Sequence, residues 1–265
     1  MSGSFPVDES FMSDKAKVLV SQRIPRKAIQ MLQERFEVDV NDQDQRLAQE
    51  ELKRRLAGRQ GLVCLLQDKI NEELLASVPG LRIVSNVAVG FDNVDLAAAT
   101  RHRVMVTNTP EVLTDTTADL AFALLLAAAR HIAAGDRFVR AGQFTEWKID
   151  LFLGHDAHHA TLGIFGMGRI GRAVARRARG FEMRVLYYDE VRLPPQVERE
   201  LGVEFADKQT VLGESDFISL HVPLMPATRH LIGAPELARM KPNAILVNTA
   251  RGPVVDEQAL VGALK

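Results

Sequence analysis

A chain of 265 residues with 46% apolar content is long enough for two ordinary domains, each with a workable core. Lysines and arginines number 33 against 34 aspartates and glutamates, so no global field recommends nucleic acid or an anionic membrane, and a small molecule is the natural partner. The single cysteine, Cys64, excludes an intrachain disulfide and suits a reducing cytoplasm.

Met1 to Asp14 is polar and lacks an apolar stretch, so it reads as a loose tail and not a signal peptide. Lys17 to Val20 reads as a strand, Arg26 to Phe36 as a helix with Ala28, Ile29 and Leu32 at helical spacing, and Val38 to Val40 as a strand. A helix follows over Glu50 to Ala57, closed by Gly58. The strand Leu62 to Leu66 then carries Cys64 as inert packing. Asn71 caps a short helix, and Leu81 to Ser85 and Val104 to Val106 complete the series. Strands alternating with helices imply a parallel, doubly wound sheet.

Just beyond the fourth of these strands, Asn86 to Asp95 falls at the carboxyl edge, where ligands of open α/β sheets collect. Gly90 would let consecutive N–H groups face an anionic oxygen. A plain turn before an Asp-capped helix fits the same residues, and both readings stand at this point. Thr114 to Arg130 is helical and apolar on all sides. One side suits the second sheet, and the rest suits a domain junction or a subunit contact. It is too short to cross a bilayer. Arg137 to Asp156 reads as a long connection holding the only tryptophan, Trp147, and His155, His158 and His159 read as a solvated loop without the spacing of a metal site.

The most informative stretch is Thr161 to Asp189. A short apolar strand runs into Gly166-Met167-Gly168-Arg169-Ile170-Gly171, a helix follows, and Arg184 to Tyr188 is the next strand. Gly166 permits a tight turn, Gly168 lets backbone N–H groups reach a pyrophosphate, and Gly171 lets helix and strand pack closely. The anion would rest on the helix N-terminus. Asp189, closing the second strand, would accept hydrogen bonds from the adenosine ribose and repel a 2′-phosphate, which favours NAD over NADP. Pro194-Pro195 and the charged Glu198 to Glu204 read as surface. Two further strands, Ser215 to Leu220 and Ala244 to Val247, end in the loops His221 to Leu224 and Asn248 to Gly252 at the carboxyl edge. Arg251 is the candidate catalytic residue, since a guanidinium there can grip a carboxylate with two parallel bonds and polarise the neighbouring carbonyl. A surface arginine capping a loop is the alternative. His221 would sit behind the cofactor, a poor place for a proton donor.

The segments GFDNVD, TTADLAFALLLAAAR, GIFGMGRIGRAVARR, SLHVPLMPATRHLI and MKPNAILVNTARGPVVDEQAL together resemble the D-isomer-specific 2-hydroxyacid dehydrogenases, and within them the glyoxylate/hydroxypyruvate reductases. The resemblance implies a flavodoxin-like substrate domain over residues 1–112, a Rossmann cofactor domain over 113–265, and a homodimer made largely through the latter. It implies hydride transfer between NAD(H) and a small 2-oxo or 2-hydroxy acid. By position, Val89 and Gly90 fall where the substrate carboxylate is held, and Gly168, Arg169 and Ile170 at the pyrophosphate. Asp189 falls at the ribose, Val222 and Pro223 beside the adenosine half, and Thr249 and Ala250 near the nicotinamide. Arg251 matches the catalytic arginine. A tryptophan like Trp147 reaches the partner subunit's site in the most similar members. NADP-preferring members carry an arginine where this chain has Asp189-Glu190, although Arg192 lies close by. The chain stops at Lys265, before the stretch that supplies a glutamate and the histidine proton donor in the family. The resemblance therefore also implies C-terminal truncation with impaired turnover, or, as the alternative, a non-catalytic NAD-binding or dimerisation module or an inactive fragment.

Overall fold

The computed structural model describes residues 15–43 and 45–265, so the expected loose tail, Met1 to Asp14, lies outside the described residues. Two compact units meet in sequence between Pro110 and Glu111.

In the first unit the strands are β1 (Lys17–Val20), β2 (Glu37–Val40), β3 (Gly61–Cys64), β4 (Ile83–Asn86) and β5 (Met105–Thr107). All are parallel, in the order β2-β1-β3-β4-β5, which is the flavodoxin-like winding. The helices are α1 (Arg26–Arg35), α2 (Gln49–Leu56), α3 (Glu72–Ser77) and α4 (Leu96–Arg101). Leu52, Leu56, Leu74, Leu75 and Ala98 close one face of the sheet, while the other packs under α1 through Ala28, Ile29 and Leu32. Asn71 accepts the Leu74 N–H as the expected cap, and Gly58 takes φ of 73° just past α2. Every residue of β3 is buried, and burial of the Cys64 thiol pushes it up to about 12, so it stays protonated and unreactive.

In the second unit the strands are β6 (Thr161–Phe165), β7 (Arg184–Tyr188), β8 (Val203–Phe205), β9 (Phe217–Leu220) and β10 (Ile245–Asn248). They too are all parallel, in the order β10-β9-β6-β7-β8, so the chain reverses direction across the sheet at the β6–β9 pair. That is the Rossmann order, with its crevice at the carboxyl ends of β6 and β9. Its helices are α5 (Thr114–Ala129), α6 (Ile132–Arg140), α7 (Arg169–Ala178), α8 (Pro195–Leu201), α9 (Lys208–Glu214), α10 (Ala234–Arg239) and α11 (Glu257–Ala263). On one face Leu162, Ile164 and Tyr187 meet Val174 of α7 and Phe122 and Leu125 of α5; on the other Phe165, Leu186 and Ile218 meet Val211 and Leu212 of α9. Each such side chain contributes roughly 1.5–3 kcal/mol by leaving water.

Two expectations for this unit are corrected. The stretch Glu198 to Glu204 is not surface coil: α8 and β8 occupy it, and Glu198 is only 8% exposed. The apolar residues Val197, Leu201 and Val203 pack on the core, and the charged residues between them masked that spacing. The long connection is also shorter than expected, because α6 takes its first residues. Helix α5 buries Ala118, Ala121, Phe122, Leu125 and Ala129 on one face and leaves Leu120 and Leu124 exposed on the other. No single helix among the described residues is long and apolar enough to cross a membrane.

Candidate active site

At the first sheet, β4 ends on Asn86, which is 1% exposed. Its Nδ2 donates to the Gly90 carbonyl (2.9 Å) and to Asn93 Oδ1 (3.1 Å), while Asn108 Nδ2 donates to the Val89 carbonyl (2.9 Å). With both carbonyls turned onto asparagines, the N–H groups of Val89 and Gly90 find no acceptor among the described residues. Two neighbouring unpaired amides are what a carboxylate needs. Asp95 accepts the Ala98 N–H (2.9 Å) and caps α4, so the capped helix follows the two unpaired amides.

At the second sheet, each glycine does a different job. Gly166 takes φ of 91°, and a Cβ there would stand 2.8 Å from the His221 carbonyl carbon. A Cβ on Gly171 would come within 2.1 Å of the Gly166 carbonyl oxygen, whereas one on Gly168 would meet nothing within 4 Å. The N–H groups of Gly168, Arg169 and Ile170 have no acceptor among the described residues. Three free donors at the N-terminus of a ten-residue helix, beside a position left open by a missing side chain, fit a pyrophosphate.

Asp189 has partners beyond those expected of it. Its Oδ2 accepts the Met167 N–H (2.6 Å) and its Oδ1 the Val191 N–H (3.4 Å), so it first braces the glycine turn from the end of β7. A carboxylate has about four acceptor sites, which leaves room for ribose hydroxyls. Arg192, three residues on, is committed elsewhere: its Nε and Nη2 each lie 2.9 Å from an oxygen of Glu198, and its guanidinium sits 5.4 Å from the Phe205 ring centre. Glu198 also accepts the Tyr187 hydroxyl (2.7 Å), and the Arg192 guanidinium, seconded by that hydroxyl, holds its carboxyl below the usual range.

The remaining site residues follow β9 and β10. Val222 lies against the glycine turn, since a Gly166 Cβ would be 2.9 Å from its nitrogen, and Pro223 follows it in the chain. The Pro223 carbonyl is fixed by the Thr228 hydroxyl. Asn248 staples the next loop: its Oδ1 accepts the Ala250 N–H (3.0 Å) and its Nδ2 donates to the Arg251 carbonyl (2.9 Å). Thr249 Oγ1 is buried with no partner among the described residues, and Arg251 Nη1 donates to the Ala250 carbonyl (2.8 Å). Gly166, Gly168, Arg169, Ile170, Asp189, Val222, Pro223, Thr249, Ala250 and Arg251 thus all stand at the carboxyl edge of one sheet. Trp147 does not belong to that edge: it is 76% exposed and lines a shallow groove with Phe138, Phe144 and Phe152. Arg169 carries its guanidinium outward to Glu111 (2.9 Å), so only its amide faces the cradle.

Sequence reading passed over Asn86, Asn93, Asn108, Asn248 and Glu198. A polar residue closing an apolar strand, as Asn86 and Asn248 do, was the available signal. Among the described residues no three His, Cys, Asp or Glu side chains are placed to hold a metal. His158 faces Asp156 (3.7 Å) and His159 faces Glu182 (3.5 Å).

The surroundings of His221 disfavour its protonated form. Its Nε2 lies 2.8 Å from Ser219 Oγ, and burial pushes the imidazole down to about 4. The unfolded chain therefore takes up a proton as pH falls through about 6.5, one that the native state refuses until about pH 4. Stability should be intact above that window and decline through it. Thermal melts between those limits should fall less steeply in His221→Gln; equal slopes would show that His221 does not carry this acid sensitivity.

The D-isomer specific 2-hydroxyacid dehydrogenase NAD binding domain model matches residues 122–265. A glyoxylate reductase of Pyrococcus horikoshii is 50% identical over 255 residues, spanning 95% of this chain and 76% of the relative. The crystal structure of TT0316 protein from Thermus thermophilus superposes with a TM-score of 0.87 at 44% identity, over 94% of this chain and 78% of that one. D-lactate dehydrogenase from Aquifex aeolicus, complexed with NAD and lactic acid, does so with a TM-score of 0.80 at 31% identity, over 94% of this chain and 73% of that one.

Proposed function

This chain belongs to the D-isomer-specific 2-hydroxyacid dehydrogenases, an NAD-linked family of oxidoreductases, and from that premise we propose that it reduces glyoxylate or hydroxypyruvate to the 2-hydroxy acid with NADH. The observation that carries the reading is the row of unpaired amides at Gly168, Arg169 and Ile170, with Gly168 open above them. Asp189 takes the ribose hydroxyls with its remaining lone pairs, and Thr249 and Ala250 line the nicotinamide end. Val222 and Pro223 flank the adenosine half.

When bound, the nicotinamide supplies a hydride to the keto carbon of the 2-oxo acid. Arg251 grips the substrate carboxylate and offers positive charge where the keto oxygen becomes negative. In the first unit's loop the Val89 and Gly90 amides are a further pair of donors suited to a carboxylate. The alkoxide oxygen then takes its proton from solvent, since neutral His221 does not provide it. Arg251 and the Val89-Gly90 amides would have no task in a module that only binds NAD.

NADH is preferred to NADPH because the Asp189 carboxylate occupies the place a 2′-phosphate would take and Arg192 is turned away onto Glu198. Val139, Phe144, Ile149 and Leu153, exposed like Trp147 on the same unit, support a homodimer, with Trp147 reaching toward the partner's site to select small substrates. The lone Cys64 accords with a cytoplasmic setting.

The test is the loss of NADH absorbance with glyoxylate and with hydroxypyruvate, run in parallel with NADPH. Faster turnover with NADH is expected. Calorimetry showing no heat with either dinucleotide would defeat the reading, and a preference for NADPH would defeat the Asp189 argument alone.

A further inference from the structure

In the second unit the Arg192–Glu198 ion pair is made at two points. Arg192 leaves β7 three residues after Asp189, in a loop bent back by the Val191 N–H onto Asp189 Oδ1. Arg192 is the first arginine along the chain after Asp189, whose remaining lone pairs are assigned above to the ribose. It is instead drawn toward α8, where both oxygens of Glu198 receive it at 2.9 Å and Phe205 lies beneath it. The acceptor is well fixed: the Glu198 side chain is only 10% exposed and is also held by the Tyr187 hydroxyl, which in turn accepts the Leu193 N–H (2.8 Å). Arg192 itself is 59% exposed, so burial does not force this arrangement. Tyr187 and Leu193 would keep the loop in place with any hydrogen-bonding side chain at 198.

We propose that Glu198 is a specificity-determining residue for the cofactor. By holding the Arg192 guanidinium in a two-point pair, it withholds from the ribose end of the cradle a cation that would otherwise receive a 2′-phosphate. Asp189 repels the phosphate, and Glu198 removes a charge that would offset that repulsion. Discrimination against NADPH thus has two parts, one on the strand end and one on the following helix. This inference rests on the NADH reading above and deepens it.

Glu198→Gln keeps an acceptor for Tyr187 but gives up the charge and one of the two Arg192 bonds. Calorimetric titration with NADH and NADPH is expected to show NADPH binding strengthened about tenfold, with NADH little changed, the scale of one charge-assisted contact to phosphate. Adding Arg192→Ala to that variant should return NADPH to its starting affinity. A mere staple for the loop would weaken both dinucleotides together, and the second substitution would not reverse it. Arg192→Ala alone gives a reading that does not depend on how Glu198→Gln folds: NADPH affinity should be unchanged, because the guanidinium is already withheld. A loss of NADPH affinity in that variant, or no gain in Glu198→Gln, overturns the proposal while leaving the NADH reading intact. If the unsubstituted chain binds neither dinucleotide, that reading fails and this inference with it.

Discussion

Gly168→Ala is expected to abolish tight NADH binding while leaving the melting temperature almost unchanged, and Gly171→Ala to lower the melting temperature sharply. The two glycines lie three residues apart in one turn, yet they answer to different constraints. A methyl group on Gly168 meets no atom of the protein within 4 Å, and the residue's φ of -70° is open to alanine. The methyl would instead fill the space over the unpaired Gly168, Arg169 and Ile170 amides, holding a pyrophosphate off donors that work only near 2.9 Å. Losing two or three charge-assisted bonds of about 1.5 kcal/mol each predicts a fall in affinity of at least 10²-fold. On Gly171 the methyl would stand 2.1 Å from the Gly166 carbonyl oxygen and 3.2 Å from its carbon. Both are backbone atoms of a turn already at φ of 91°, so the strain has no flexible side chain to absorb it. Helix α7 must lift from β6, at a cost of roughly 3 kcal/mol or more. Thermal melts and calorimetry on both variants make the check. Equal loss of stability in the two would refute the division of labour, and full NADH affinity in Gly168→Ala would remove the ligand from the cradle.

The fold was legible wherever apolar runs had the length of a buried strand. β1 and β6 fall on the residues expected of them, because each is a buried run in which only the first residue, Lys17 or Thr161, is polar. Legibility failed at α8 and β8, an edge element whose spacing is interrupted by Glu198, Arg199, Glu200 and Glu204. Glu198 is buried there only because Tyr187 and Arg192 come to it from β7 and the loop beyond, and no local pattern announces partners that distant. The same holds for Asn86 and Asn248. Each is a polar residue at a strand end, but what they hold, Gly90 in one case and Ala250 with Arg251 in the other, appears only once the chain has turned. The glycines were legible because their requirement is stated by the absence of an atom. The bond from the Met167 N–H to Asp189 was not legible, since it depends on how the glycine turn closes over β7.

Arg251→Ala is expected to lower kcat/KM for the 2-oxo acid by about 10²–10³-fold, some 3–4 kcal/mol of barrier, with the NADH dissociation constant unchanged. The planar guanidinium suits a carboxylate, and it follows β10 in a loop that Asn248 fixes at two points. That preorganisation matters, because a donor already aimed at the developing charge need not be reoriented as the reaction proceeds. Arg251→Lys should recover little, since an ammonium is a point charge and cannot make two parallel bonds. The competing account is that Arg251 merely braces its own loop through the Ala250 carbonyl. A brace, once lost, would loosen Thr249 and Ala250 and so weaken NADH as much as it slows turnover. Parallel titration of NADH and of the 2-oxo acid separates the two: a fall confined to the acid and to kcat assigns Arg251 to the reacting groups, and an equal fall in NADH affinity assigns it to the loop.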